Sequence, residues 1–201
     1  MKFKTTFAAL ALTAFAGSAS AATIYADSVI SANKGDCVGV GLGPVDGNSC
    51  LIDRNDPTAA LGAPDELFYS LGFGGDLTLG FTGEIGGSTE TSVYEVTFDR
   101  EVGHDEAVEL WALDTLTDTL TFITTLFNTG EVAKAAINVP FDAITLIDVT
   151  MDYFDVEPGD GNLSFDGFDV NSVGVSAVPL PLSGLMLLAG LGGLAAVRRK
   201  S

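Results

Sequence analysis

Six carboxylates fall within eighteen residues towards the C-terminal end of the chain: Asp152, Asp155, Glu157, Asp160, Asp166 and Asp169. Ionised carboxylates that close repel one another unless they are solvated, protonated or bridged by a cation. The turn among them, Pro158-Gly159-Asp160-Gly161, suits Ca2+, a hard cation that takes roughly six to eight oxygen ligands, backbone carbonyls included. The spacing lacks the glycine and the final glutamate of an EF-hand loop. Two alternatives follow: a calcium site on these six residues, or a solvated acidic loop. Asp53-Arg54-Asn55-Asp56-Pro57 is a second acidic stretch, either a further source of ligands or a capped turn begun at Asp56-Pro57.

Nucleophilic chemistry has little to stand on. His104 is the sole histidine, and no Gly-x-Ser-x-Gly elbow, cysteine nucleophile or second histidine accompanies it. Carboxylate pairs of the glycosidase kind arise by chance among so many acids. Trp111 and Phe68-Tyr69 are candidates for stacking on sugars or for core packing. Gly72-Phe73-Gly74-Gly75 opens no helix, so it reads as a turn and not as a phosphate loop. Cys37 and Cys50 are the only cysteines. In an oxidising compartment an even count points to a disulfide, worth ~3 kcal/mol for a loop of about a dozen residues. Two thiols and one distant histidine make a poor zinc site.

These residues sit on a β-rich frame. Short apolar or alternating runs recur between Gly, Asp and Asn clusters, giving candidate strands over 23–30, 67–71, 77–81, 92–98, 108–112, 119–126, 144–151 and 168–175. In the 92–98 run, the face bearing Tyr94, Val96 and Phe98 is expected to point inward. Residues 131–136 suit a helical turn between Gly130 and Pro140. The pattern predicts an all-β fold, an antiparallel β-sandwich or jelly roll, in one domain over 22–177.

The two ends of the chain differ from this middle. Lys2 and Lys4, the apolar run 7–16 and small residues at Ala19 and Ala21 make a signal peptide over 1–21, too short to span a bilayer. At the other end, Val178-Pro179-Leu180-Pro181 precedes an uncharged stretch, 182–197, and the basic tail Arg198-Arg199-Lys200. As a helix that stretch reaches ~24–30 Å, enough for a single C-terminal transmembrane helix with its basic end on the cytoplasmic side. All 27 acids lie between the two signals, where only four cations remain, so the middle carries −23 against −18 for the whole chain. Such a surface excludes nucleic acid, whose phosphates need Lys and Arg.

The C-terminal features, in that order, resemble the VPLPA-CTERM sorting signal, a variant of the PEP-CTERM class; Leu182 stands where that motif usually has Ala. The resemblance implies recognition near 178–181 by an exosortase after signal peptidase has removed the leader. It also implies transient anchoring in the inner membrane of a Gram-negative bacterium and association with exopolysaccharide or the outer surface. Within the middle, Asp56-Pro57-Thr58-Ala59-Ala60-Leu61-Gly62-Ala63-Pro64-Asp65, the run 70–81, Tyr94-Glu95-Val96 and Asp166-Gly167-Phe168-Asp169 resemble segments of exported surface proteins similar to galactose-binding-like jelly rolls. That resemblance implies carbohydrate or calcium binding and assigns no catalytic residue. The expectation is a non-enzymatic surface or matrix protein. Its alternatives are a secreted polysaccharide hydrolase with a carboxylate pair, or a purely structural envelope protein.

Overall fold

A computed structural model of the chain describes residues 22–37, 54–85, 88–96, 104–154 and 166–177. They form two antiparallel sheets. One is ordered β1 (Thr23–Tyr25), β10 (Asp169–Ala177), β5 (Thr89–Glu95), β8 (Val132–Ile137), with the short β3 (Tyr69–Ser70) also on β10. The other runs β2 (Ser28–Asn33), β4 (Asp76–Ile85), β9 (Phe141–Asp148), β6 (Ala107–Asp114), β7 (Thr119–Phe127). The all-β sandwich expected from the strand pattern is therefore present. The signal peptide, the C-terminal helix, the motif 178–181 and the basic tail lie outside the described residues, and among those described no helix is long and apolar enough to cross a membrane.

The core fills the space between the sheets. Leu77, Leu79, Leu110, Ile144 and Leu146 from one sheet meet Val93, Val170, Val173 and Val175 from the other, with Tyr69, Phe141 and Phe168 closing the ends. Period-two burial explains why these residues form strands: Val108, Leu110 and Ala112 point inward, while Glu109, Trp111 and Leu113 face out.

Four local expectations change. The run 23–30 is not one strand: after Tyr25 the chain passes from one sheet to the other at Ala26, which is fully buried and donates to Val173 O. Residues 131–136 contribute to strand β8 instead of a helical turn, because β5 offers a free edge that pairs with them from Thr89↔Ile137 to Tyr94↔Val132; sheet pairing outweighs the helical preference of so short a segment. The 144–151 run ends as a strand at Asp148, and Thr150–Tyr153 forms a helical turn, α1, whose Thr150 N and Oγ1 donate to Asp148. In β5 the inward face is the opposite one: Thr91, Val93 and Glu95 are buried, whereas Tyr94 packs outside against Tyr25. Val93 stands opposite Val173 in the register, and Glu95, on the same face, is buried close to the charged group described next.

Candidate functional site

Two regions of the sandwich carry polar chemistry. The first is a clasp at one end, where residues 34–36, 70–75, 148–150 and 166–169 converge. Leu71 N donates to Phe168 O and Gly72 N to Asp166 O at 3.0 and 2.7 Å, and Ser70 Oγ donates to Asp166 O at 2.8 Å. Gly35 N donates to Leu71 O and Asp148 N to Gly75 O. Backbones this close leave no room for side chains: a Cβ on Gly75 would lie 2.0 Å from Leu71 O. Asp148, 3% exposed, binds the clasp together by accepting from Gly74 N, Phe168 N and both Thr150 donors. Burial raises its carboxyl above the ordinary value despite these donors.

Inside the clasp lies a buried ionic group. Arg54 Nη1 sits 2.6 Å from Asp166 Oδ2 and 3.6 Å from Asp169 Oδ2, both carboxylates being fully buried. Lys34 Nζ donates to the carbonyls of Arg54 and Ser70 and lies 4.6 Å from the Tyr69 ring centre. Glu95 and Glu106 are buried nearby, and His104 Nε2 is 2.9 Å from Glu106 Oε1. Burial, then Asp166 and Glu106, push the Asp169 carboxyl well above its ordinary value, and Arg54 offsets this only in part. Burial likewise lowers Lys34 to about 8 against the pull of Asp166 and Asp169. Arg54 is raised: burial opposes its charge, but Asp166 and Asp169 outweigh it. Neither oxygen of Asp169 accepts a hydrogen bond, so this carboxyl is suited to holding a proton.

Of the six carboxylates considered as calcium ligands, Asp166 and Asp169 are brought together, with the Arg54 guanidinium against them. Asp152 is exposed on α1. Asp155, Glu157 and Asp160 lie outside the described residues. Among the described residues no group of three His, Cys, Asp or Glu is placed to hold a metal ion. Asp56 serves as a cap, accepting from Thr58 N and Oγ1 at the start of the 3-10 turn Pro57–Ala60. Cys37 is disulfide-bonded, and Cys50 lies outside the described residues. Sequence reasoning missed Arg54 and Lys34 as the partners of Asp166 and Asp169; the usable signal was their rarity, four cations against 27 acids in the middle of the chain.

The second region is the outer face of the sheet β2-β4-β9-β6-β7. The register places Asn33, Asp76, Ile147, Glu109 and Thr125 in one row across the five strands, and Thr78, Thr145, Trp111 and Phe122 in the next. Trp111 and Phe122 meet edge to face at 5.1 Å, and Phe122 is 47% exposed. Trp111 Nε1 donates to Glu109 Oε2 at 2.9 Å, which fixes the indole plane. Asn33 Nδ2 donates to both oxygens of Asp76, and Thr78 and Thr145 share a hydroxyl bond at 2.9 Å. Of the aromatic residues considered for sugar stacking, Trp111 is on this face, Tyr69 is in the core, and Phe68 lies half-buried with Arg54 over its ring at 4.9 Å. Phe68 also lines a shallow cleft of about 260 Å³ with Asp56, Thr58, Ala59, Glu66 and Leu67.

No family model matches the chain, and no curated protein does. Solved structures do. Truncated AlyQ, with CBM32 and alginate lyase domains, is 10% identical at TM-score 0.49, over 80% of this chain and 35% of that one. A family 29 carbohydrate-binding module variant is 18% identical at TM-score 0.31, over 55% of this chain and 64% of its own. Another family 29 variant is 17% identical at TM-score 0.32, over 55% and 69%. The chain thus matches about a third of AlyQ and about two thirds of the modules. The strand pairing, and not these likenesses, defines the fold.

Proposed function

We propose that the chain is an exported, non-enzymatic surface protein whose sandwich binds carbohydrate on the outer face bearing Trp111 and Phe122. The observation that carries this is the aromatic pair itself: an indole fixed by Glu109 and an exposed ring beside it, on a sheet face that also carries Thr, Asn, Asp and Glu oxygens. Aromatic faces take the apolar C–H side of a sugar ring, and fixed polar groups take its hydroxyls. The indole is pre-oriented, so less order has to be imposed on binding. The buried ionic group serves the clasp and not a reaction, since Asp166 and Asp169 are closed off from solvent. The test is isothermal titration with purified glycans. Trp111→Ala lowers affinity by about 30-fold, the ~2 kcal/mol typical of losing a central aromatic anchor. Unchanged affinity removes the site from this face.

The leader 1–21 and the signal 178–201 make an exosortase substrate whose mature form spans 22–177, with Cys37 bonded to Cys50. Intact mass of the surface-extracted protein tests all three at once, and retention of 182–201 defeats the sorting proposal. Calcium on the six-carboxylate stretch Asp152, Asp155, Glu157, Asp160, Asp166 and Asp169 is a separate proposal resting on the sequence, with Arg54 already against the last two. A melting temperature identical in calcium and in chelator removes it.

A further inference from the structure

The outer face does not end at Trp111 and Phe122. Along β7 the outward residues continue through Thr125 to Phe127, and there α1 folds over the face: Val149 N donates to Ala107 O, and Thr150 Oγ1 accepts from Ala107 N. This seats Tyr153 and Phe154 against Phe127, with ring centres 5.3 and 6.1 Å apart and nearly perpendicular planes. Tyr153 Oη lies 3.3 Å from Thr125 Oγ1, and the ring is 53% exposed. Neither Tyr153 nor Phe127 is needed for the core, which is filled by the inward face of the same strands. From Phe122, opposite Trp111, to Phe127, opposite Ala107, the bulged strand advances the four residues of its partner, about 13 Å at ~3.3 Å per residue. Two aromatic stations thus stand on one face, with Glu109 and Thr125, neighbours across β6 and β7, between them.

The charge on this face has one sign. Asp76 and Glu109 stand on it, and Asp152 is exposed on α1 at its end. The described lysines and arginine are occupied elsewhere: Lys34 and Arg54 in the clasp, and Lys134 on the edge strand β8 with Glu90 at 2.7 Å. Among the described residues a polyuronate or sulfated glycan would meet carboxylates and no cation, a repulsive pairing. Hydroxyl donors of a neutral sugar would meet acceptors.

From this we infer that Phe127, Tyr153 and Phe154 form a second stacking subsite, and that the ligand is a neutral oligosaccharide lying along β7 and bridging both stations. The inference rests on the proposed carbohydrate site at Trp111. The test is a length series of neutral gluco- and manno-oligosaccharides against the wild-type full domain, Trp111→Ala and Tyr153→Ala, with polyuronate as comparator and light scattering for mass. In wild type, affinity rises with chain length and polyuronate does not compete. Tyr153→Ala loses about tenfold for the long members and nothing for disaccharides. A length series that Tyr153→Ala leaves intact, while Trp111→Ala still weakens binding about 30-fold, overturns this inference alone. Preference for polyuronate overturns the ligand class. Failure of every neutral glycan to bind overturns the carbohydrate reading with it, and self-association lost in both variants identifies the face as a contact between copies instead.

Discussion

Replacing Arg54 by Met removes the guanidinium while keeping most of the apolar stem that packs near Phe68. In the folded chain the variant leaves Asp166, with Oδ2 formerly 2.6 Å from Nη1, and Asp169, formerly at 3.6 Å, both fully buried. Among the described residues the other cation drawn by both carboxylates is Lys34, itself lowered to about 8 by burial. Breaking one partner of a buried pair costs ~3–5 kcal/mol, because a buried charge is left uncompensated. For a domain of this size that corresponds to a fall of roughly 6–20 °C in melting temperature. The cost depends on pH with a definite sign. Asp169 is already raised above the ordinary 3.8, and losing Arg54 raises it further. A raised acid contributes stability that is complete below its unfolded value and is lost as pH rises through the folded value. The variant therefore approaches wild type near pH 4 and falls behind it steadily towards pH 8. Thermal melts by circular dichroism across that range measure this, with Arg54→Lys as an intermediate because an ammonium lacks the planar fork. A fall under about 2 °C at pH 7, or one of equal size at pH 4 and pH 8, refutes the claim that Arg54 neutralises this cluster.

Asp169→Asn is expected to flatten the pH dependence of the melting temperature between pH 4 and 8, since the titrating group opposite Arg54, Asp166, Glu95 and Glu106 is gone; a slope equal to wild type would locate the titration elsewhere. Gly167→Ala forces a side chain onto φ +67° and places Cβ 2.7 Å from Asp148 Oδ2, so it lowers stability by ~1–3 kcal/mol in denaturant melts, and a neutral result would mean that the clasp relaxes freely. Asp148→Ala strips the acceptor from Phe168 N, Gly74 N and Thr150 and costs ~3 kcal/mol or more, seen as a lower denaturant midpoint. Reduction of the Cys37 disulfide is expected to lower stability by ~3 kcal/mol, the chain-entropy value for a loop of about a dozen residues, measured by melts with and without reductant.

How far the sequence reached depends on the range over which each signal acts. Alternation in 77–81 and 108–112 is a local property, and the two strands formed with Leu77, Leu79, Leu110 and Ala112 inward. Turn glycines were legible for the same reason: Gly74, at φ +73°, sits in the stretch 72–75 that reads as a turn. The face of β5 was not legible, because Val93 and Glu95 alternate with Tyr94 and both faces hold something apolar; the partner strand β10 chose between them. The strand β8 was missed because a stretch with three alanines has no strong period, and only the open edge of β5 gave it a partner.

By itself, then, the amino-acid order determined what depends on neighbours in the chain: an all-β frame, the split between a −23 middle and two basic, apolar ends, and turns at glycines and at Asp56-Pro57. Tertiary structure alone decided which distant residues meet. It put Arg54, 112 residues before Asp166, onto that carboxylate, and set Trp111 and Phe122 on one open face with Tyr153 at its end. Charge pairing and stacking act through space, across register and loop closure, and no spacing along the chain encodes them until the sheets have formed.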